Sequence, residues 1–183
     1  MPPTTGKVIS HMTSNDRTGR APYQALTVKA TSLPGALMEQ GDDIPWTPFP
    51  DGTGADFKLL NVDIGSGGWT TIMRFPQGVE IPMHLHLGAV EIYTIRGSWS
   101  YQEGRLTDGG YAYEPSGVIH EPSSETEVEL FIVSRGSNLY FDEDGRFTMW
   151  LDAHMLYTTA KANNAVHHLR HLDHLIVDRP IPT

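Results

Sequence analysis

Between Phe57 and Arg135, short runs rich in Val, Ile, Tyr, Trp and Thr recur at close intervals, and glycine or proline breaks each of them. The runs cover 57–63, 69–75, 90–96, 98–102, 110–114 and 128–134. The breaks are Gly65-Ser66-Gly67-Gly68, Pro76-Gln77-Gly78, Glu103-Gly104, Asp108-Gly109-Gly110 and Pro115-Ser116-Gly117. Runs of this length bury too little for helices and suit strands that pair with their neighbours. The pattern therefore predicts an all-β sandwich or barrel. A chain of 183 residues is long enough to give such a barrel a real core.

The flanks differ in texture. Residues 1–56 open with a polar Thr-, Pro- and Gly-rich arm to about residue 25, followed by an apolar stretch, Leu33 to Met38. A segment from Asp42 to Pro50 then carries three prolines in six residues, which excludes helix there. Its Trp46 and Phe49 are expected to pack on the body of the protein. Residues 136–183 read as a hairpin turning at Asp142-Glu143-Asp144-Gly145 and a helix from Leu151 to Lys161 stopped by Asn163-Asn164. A last strand or docked tail follows over Leu172 to Val177. The expected organisation is an arm and docking segment (1–56), a barrel core (57–135) and a partly helical C-terminal segment packed on it (136–183).

Composition removes several function classes. The formal net charge of −9 argues against nucleic acid and anionic membrane as partners. No apolar run approaches the roughly 20 residues of a spanning helix, and the N-terminus has no apolar stretch of signal-peptide length. A cytoplasmic location is the expectation. The absence of cysteine excludes disulfides, thiolate zinc sites, iron–sulfur clusters and cysteine nucleophiles. Any metal must therefore sit on nitrogen and oxygen.

Nine histidines supply the nitrogen. In a strand, residues i and i+2 share a face, so His84 and His86 would aim two imidazoles at one point. His120 follows the tight turn Pro115-Ser116-Gly117 and is the candidate third ligand. Three neutral imidazoles suit Fe, Zn, Cu, Ni or Co and leave coordination positions open. A His-x-His pair alone reads equally well as two surface or hydrogen-bonded histidines. Glu114, six residues before His120, is a candidate base or partner of a ligand histidine. Glu91 is a candidate ligand, and Arg96 a candidate counter-charge for a substrate oxyanion. Tyr93, Trp99, Tyr101, Tyr111 and Tyr113 read mainly as core or interface aromatics, with one or two able to line a pocket. His167, His171 and His174 fall at helical spacing and read as a solvated or interface face. Glu121, Glu125, Glu127 and Glu129 read as solvated.

Two spacings carry a family resemblance. Gly78, His84, His86, Glu91 and Gly97 follow the first motif of the cupin superfamily: Gly, five residues, His-x-His, then Glu and Gly. Only five residues, rather than the usual six, precede the last glycine. Gly109, Pro115, Gly117 and His120 follow the second motif, with Ser124 in place of its closing Asn. The sequence thus resembles the cupins over roughly residues 57–135, and the resemblance implies a jelly-roll barrel (a double-stranded β-helix) with a metal on His84, His86 and His120. Counted back from Gly97, the usual glutamate position falls on Val90. Either a bulge over Leu87–Val90 brings Glu91 inward, or the site is three histidines without a carboxylate. The segment from His84 to Gly97 is similar to cupins that cleave carbon–carbon bonds beside ketones, the acetylacetone and 2,4'-dihydroxyacetophenone dioxygenase types. That likeness implies an Fe(II) centre and a small aromatic ketone substrate. The aromatic α-hydroxyketone would react with O2 to give 4-hydroxybenzoate and formate, in a homo-oligomer (dimer or tetramer). A β-diketone substrate is the alternative. A metal-binding cupin sensor, similar to the zinc-binding anti-sigma domains, is the alternative of another class. Those proteins carry an N-terminal zinc module that uses cysteine, which this chain lacks.

Overall fold

The computed structural model describes residues 37–172. The expected N-terminal arm, the first part of the Leu33–Met38 stretch, residues 173–177 of the last expected strand, and His174 lie outside the described residues, as does the side chain of His171. In chain order the strands are β1 (Thr47–Pro48), β2 (Asp56–Asp63), β3 (Gly68–Phe75), β4 (His84–His86), β5 (Val90–Arg96), β6 (Trp99–Tyr101) and β7 (Gly104–Leu106). They continue with β8 (Tyr111–Glu114), β9 (Ile119–His120), β10 (Ser123–Ser124), β11 (Val128–Ser134), β12 (Asn138–Phe141) and β13 (Phe147–Leu151), followed by helix α1 (Ala153–Ala162). A six-stranded sheet runs β1-β2-β3-β11-β5-β8, a four-stranded sheet runs β13-β12-β4-β9, and a three-stranded sheet runs β10-β6-β7. Neighbouring strands in each sheet are antiparallel. This is the expected all-β jelly-roll barrel of the cupins, with a helical C-terminal segment.

The period-2 pattern that marked the strands also fills the core. On β3, Trp69, Thr71, Met73 and Phe75 are buried, and on β11 Val128, Leu130, Ile132 and Ser134 are buried. Their registers match across the sheet, Leu130 with Met73 and with Thr94, Ile132 with Thr71 and with Ile92. Trp99 fills the interior beside them, 2% exposed, and its indole N–H donates to Thr94 Oγ1 at 2.9 Å. Such a ring contributes on the order of 3–5 kcal/mol against truncation to Ala.

Phe49 packs edge-on to Phe57 at 6.1 Å, while Trp46 takes Arg74 and Lys58 against its ring at 4.3 and 5.0 Å. The proline-rich segment therefore does dock, with Pro48 on the edge strand β1, where a missing N–H costs no ladder bond. Helix α1 starts on Asp152, whose carboxylate accepts from the Met155 N–H at 2.8 Å, and ends before Asn164, which has a positive φ of 56°. It buries Ala153, Leu156, Tyr157 and Ala160 and packs on β2 and β13. His168 Nε2–H donates to Leu59 O at 2.8 Å, beside the β2 bulge. Among the described residues no helix is long and apolar enough to cross a membrane.

Candidate metal centre

Strand β4 holds His84 and His86 on the inner face of the four-stranded sheet, and the pairing places their partners. His84 lies directly opposite His120 on β9 and Tyr140 on β12, while His86 lies opposite Asn138 on β12. The turn before β9 needs Gly117, which has a φ of 93° and whose N–H donates to His86 O at 2.8 Å, tying the second motif to the first. Ser124, which replaces the closing Asn, does structural work. Its hydroxyl donates to Pro76 O at 2.5 Å and accepts from the Val79 N–H at 3.0 Å, holding the turn that leads into β4.

His84, His86 and His120 are 6%, 2% and 3% exposed, and one donor atom from each lies within 4.8 Å of the others. His84 Nδ1–H donates to Pro82 O at 2.9 Å, which leaves its Nε2 as a lone-pair donor 3.1 Å from His120 Nε2. Burial, together with repulsion from the other two rings, pushes His84 down to about 3. Burial and His120 push His86 down to about 4, and burial also lowers His120. Three imidazoles are thus held neutral, as metal ligation requires. His86 Nε2 is buried without any hydrogen-bond partner, an orphaned donor atom that a metal ion would satisfy. The donor set fits a divalent transition metal.

Glu114 lines the same cavity beside these rings. It is 2% exposed, with Oε2 3.2 Å from His86 Nδ1 and Oε1 3.7 Å from His120 Nδ1. Burial raises its carboxyl to about 7, against a hydrogen bond from Tyr101 that lowers it. Burial and the Glu114 charge push the Tyr101 phenol up to about 12. The Tyr101 ring lies 4.9 Å from His120, edge-on, and the Tyr140 ring stacks on His84 at 4.9 Å.

The other two candidates are placed elsewhere. Glu91 points out of the sheet, bonded to Arg135 at 2.5 Å and to the Tyr111 hydroxyl at 3.1 Å. No bulge turns it inward. The irregularity in β5 lies at its far end, where Leu130 pairs with Thr94 and Glu129 with Arg96. Val90, 2% exposed, occupies the inward position, so Glu91 is no ligand and the ligand cluster is three histidines, with Glu114 as the carboxylate that lines the cavity beside them. Arg96 is also outside, in ion pairs with Glu127 and Glu129 at 2.7 and 3.0 Å, so two of the glutamates expected to be simply solvated are its partners. Strand parity from Val90, Ile92 and Thr94 would turn Arg96 inward, and the irregularity between Thr94 and Arg96 puts it on the outside instead. Tyr93, Tyr111 and Tyr113 lie on the same outer face, about half exposed. His167 is exposed, 3.6 Å from Glu39, and His168 is buried against β2. Among the described residues the three histidines form the one cluster fit to hold a metal.

The centre lines a small cavity of about 50 Å³, walled otherwise mostly by apolar side chains such as Met73, Phe75, Ile92 and Leu130. This is far below the ~300–1,000 Å³ of pockets that take drug-sized ligands. The space is small because inward side chains from both layers fill most of the barrel. Sequence reasoning also missed Asn138 and Tyr140, whose place beside the histidines depends on a cross-strand pairing that no local pattern encodes.

Known proteins match this architecture. A protein from Ralstonia eutropha JMP134 solved as an RmlC-like cupin aligns with a TM-score of 0.61 and 28% identity, over 81% of this chain and 92% of that one. An acetylacetone dioxygenase from Acinetobacter johnsonii aligns with a TM-score of 0.64 and 20% identity, over 71% and 93%. A candidate acetylacetone dioxygenase from Methylibium petroleiphilum PM1 aligns with a TM-score of 0.57 and 26% identity, over 64% and 91%. The DNA damage-repair/toleration protein DRT102 of Arabidopsis thaliana is 28% identical over 103 residues, which is 48% of this chain. The match spans only 33% of that relative's own length. The family of ChrR cupin-like domains matches residues 35–138, which contain both histidine motifs and every ligand candidate. The chain is therefore a metal-binding cupin, and it belongs to the ChrR cupin-like domain family.

Proposed function

We propose that this cupin is a non-haem Fe(II) dioxygenase that cleaves the carbon–carbon bond beside a ketone, with a small ketone rather than an aryl ketone as substrate. The observation that carries this reading is a buried set of three neutral imidazoles with Val90 where a carboxylate ligand would stand. Fe(II) on His84, His86 and His120 would keep its full positive charge, polarise a ketone oxygen and favour an anionic enolate. The names of the two acetylacetone dioxygenases among the structural neighbours support the same chemistry.

The protein's own groups have definite tasks in this reading. Pro82 O holds the proton on His84 Nδ1 and so keeps Nε2 available. Glu114 Oε2 lies 3.2 Å from His86 Nδ1 and would accept from its N–H and orient the ring when Nε2 holds the metal. The apolar wall keeps bulk water away from the reacting ketone. The test is an oxygen-electrode screen of iron-loaded protein against small hydroxyketones, β-diketones and 2,4'-dihydroxyacetophenone. Oxygen uptake with a small ketone is expected. Tight stoichiometric zinc with no uptake on any ketone would favour the second reading, a metal-binding sensor, which the ChrR-like family description supports.

A further inference from the structure

Besides atoms of the ligand histidines and Glu114, two buried polar atoms of the cavity lining have no hydrogen-bond partner among the described residues, Trp69 Nε1 and Asn138 Oδ1. Both residues are 4% exposed, and both line the cavity that the three histidines and Glu114 line. They come from opposite layers of the barrel. Trp69 projects inward from β3 of the six-stranded sheet, whereas Asn138 lies on β12 directly across from His86 in the four-stranded sheet. An indole N–H can only donate and a carboxamide oxygen can only accept. Nearly every buried polar group in a native protein finds a partner, so an unmatched donor and an unmatched acceptor in one small apolar cavity point to a ligand carrying the complementary pair.

We propose that Trp69 and Asn138 are specificity-determining residues that read an α-hydroxyketone, Trp69 N–H donating to a ligand oxygen and Asn138 Oδ1 accepting from the ligand hydroxyl. The proposal rests on the ketone reading above and deepens it. A β-diketone held as its enolate offers acceptors only, so it satisfies Trp69 and leaves Asn138 unmatched. The small, mostly apolar cavity favours a small aliphatic hydroxyketone as the ligand.

The test is calorimetric titration of the iron-loaded, full-length protein without oxygen, using hydroxyacetone and pentane-2,4-dione as probes. Wild type is expected to prefer hydroxyacetone. Asn138→Leu should weaken hydroxyacetone about tenfold or more and pentane-2,4-dione far less, with iron content and Tm retained. Asn138→Asp keeps an acceptor and should keep the preference, which guards against a folding defect in the leucine variant. Trp69→Phe should weaken both probes. Equal losses for the two probes in Asn138→Leu, or a wild type that prefers the diketone, would overturn the selectivity role and leave the ketone reading standing. A wild type that binds neither probe would overturn both.

Discussion

Glu91 and Glu114 lie on neighbouring strands of one sheet, in adjacent cross-strand pairs, Glu91 opposite Tyr113 and Val90 opposite Glu114. They have the same chemistry and opposite fates. Glu114 points inward at 2% exposure, against two ligand histidines, and burial lifts its carboxyl to about 7. Glu91 points outward, and hydrogen bonds from Arg135 and Tyr111 hold its carboxyl below the usual range. Strand parity alone separates a residue of the centre from a solvated ion pair. The motif's own glutamate is the one that left the site, and a glutamate outside the conserved spacing is the one that entered it.

The largest effect expected on this contrast comes from removing what Glu114 supports. His86→Ala should take bound metal from about one ion per chain to near none, read by elemental analysis, and abolish oxygen uptake. Retention of a full metal load would break the assignment of the centre. Glu114→Gln should come next, lowering turnover by about 10–100-fold while the fold persists. Unchanged turnover and unchanged metal affinity would reduce Glu114 to a filler of space.

The pH dependence of the metal-free protein sharpens the same contrast. His84 and His86 sit at about 3 and 4 in the fold, against 6.5 for the ordinary side chain. The unfolded chain therefore binds more protons below that value, and stability falls as the pH drops from about 6.5 toward 4. Glu114 acts in the opposite sense. Its raised pKa makes its contribution fullest below 4.5 and lost as pH rises through about 7. Melting curves across pH should show both limbs, and Glu114→Gln should erase the alkaline one while sparing the acid one. The smallest effect is expected from Glu91→Gln, with the denaturant midpoint almost unmoved and no loss of metal, because exposed ion pairs contribute little. A loss of metal in that variant would return Glu91 to the site.

The strands over 69–75, 90–96, 110–114 and 128–134 were legible because burial alternates along most of each, so the alternation is written in the residues, whereas 57–63 was legible from its apolar residues and flanking turns, since Phe57, Lys58 and Leu59 are buried in succession. Strands β12 and β13 were not legible beyond their turn. Leu139, Tyr140 and Phe141 form a continuous apolar run, and on β13 only Leu151 is fully buried. The inward pairing of His84 with His86 followed from strand parity, and His120 from the spacing of the second motif. The direction of Glu91 could not be read, because one residue of slip anywhere between Leu87 and Gly97 reverses it.

By itself, then, the sequence determined a β-barrel with no sulfur ligands and with three histidines able to share a metal, because these depend on residue type and on short-range periodicity. Only the tertiary structure decided which carboxylate faces the centre, how small the cavity is, and that Trp69 and Asn138 share it. Those depend on cross-strand register and on side chains meeting from opposite layers, between positions far apart along the chain.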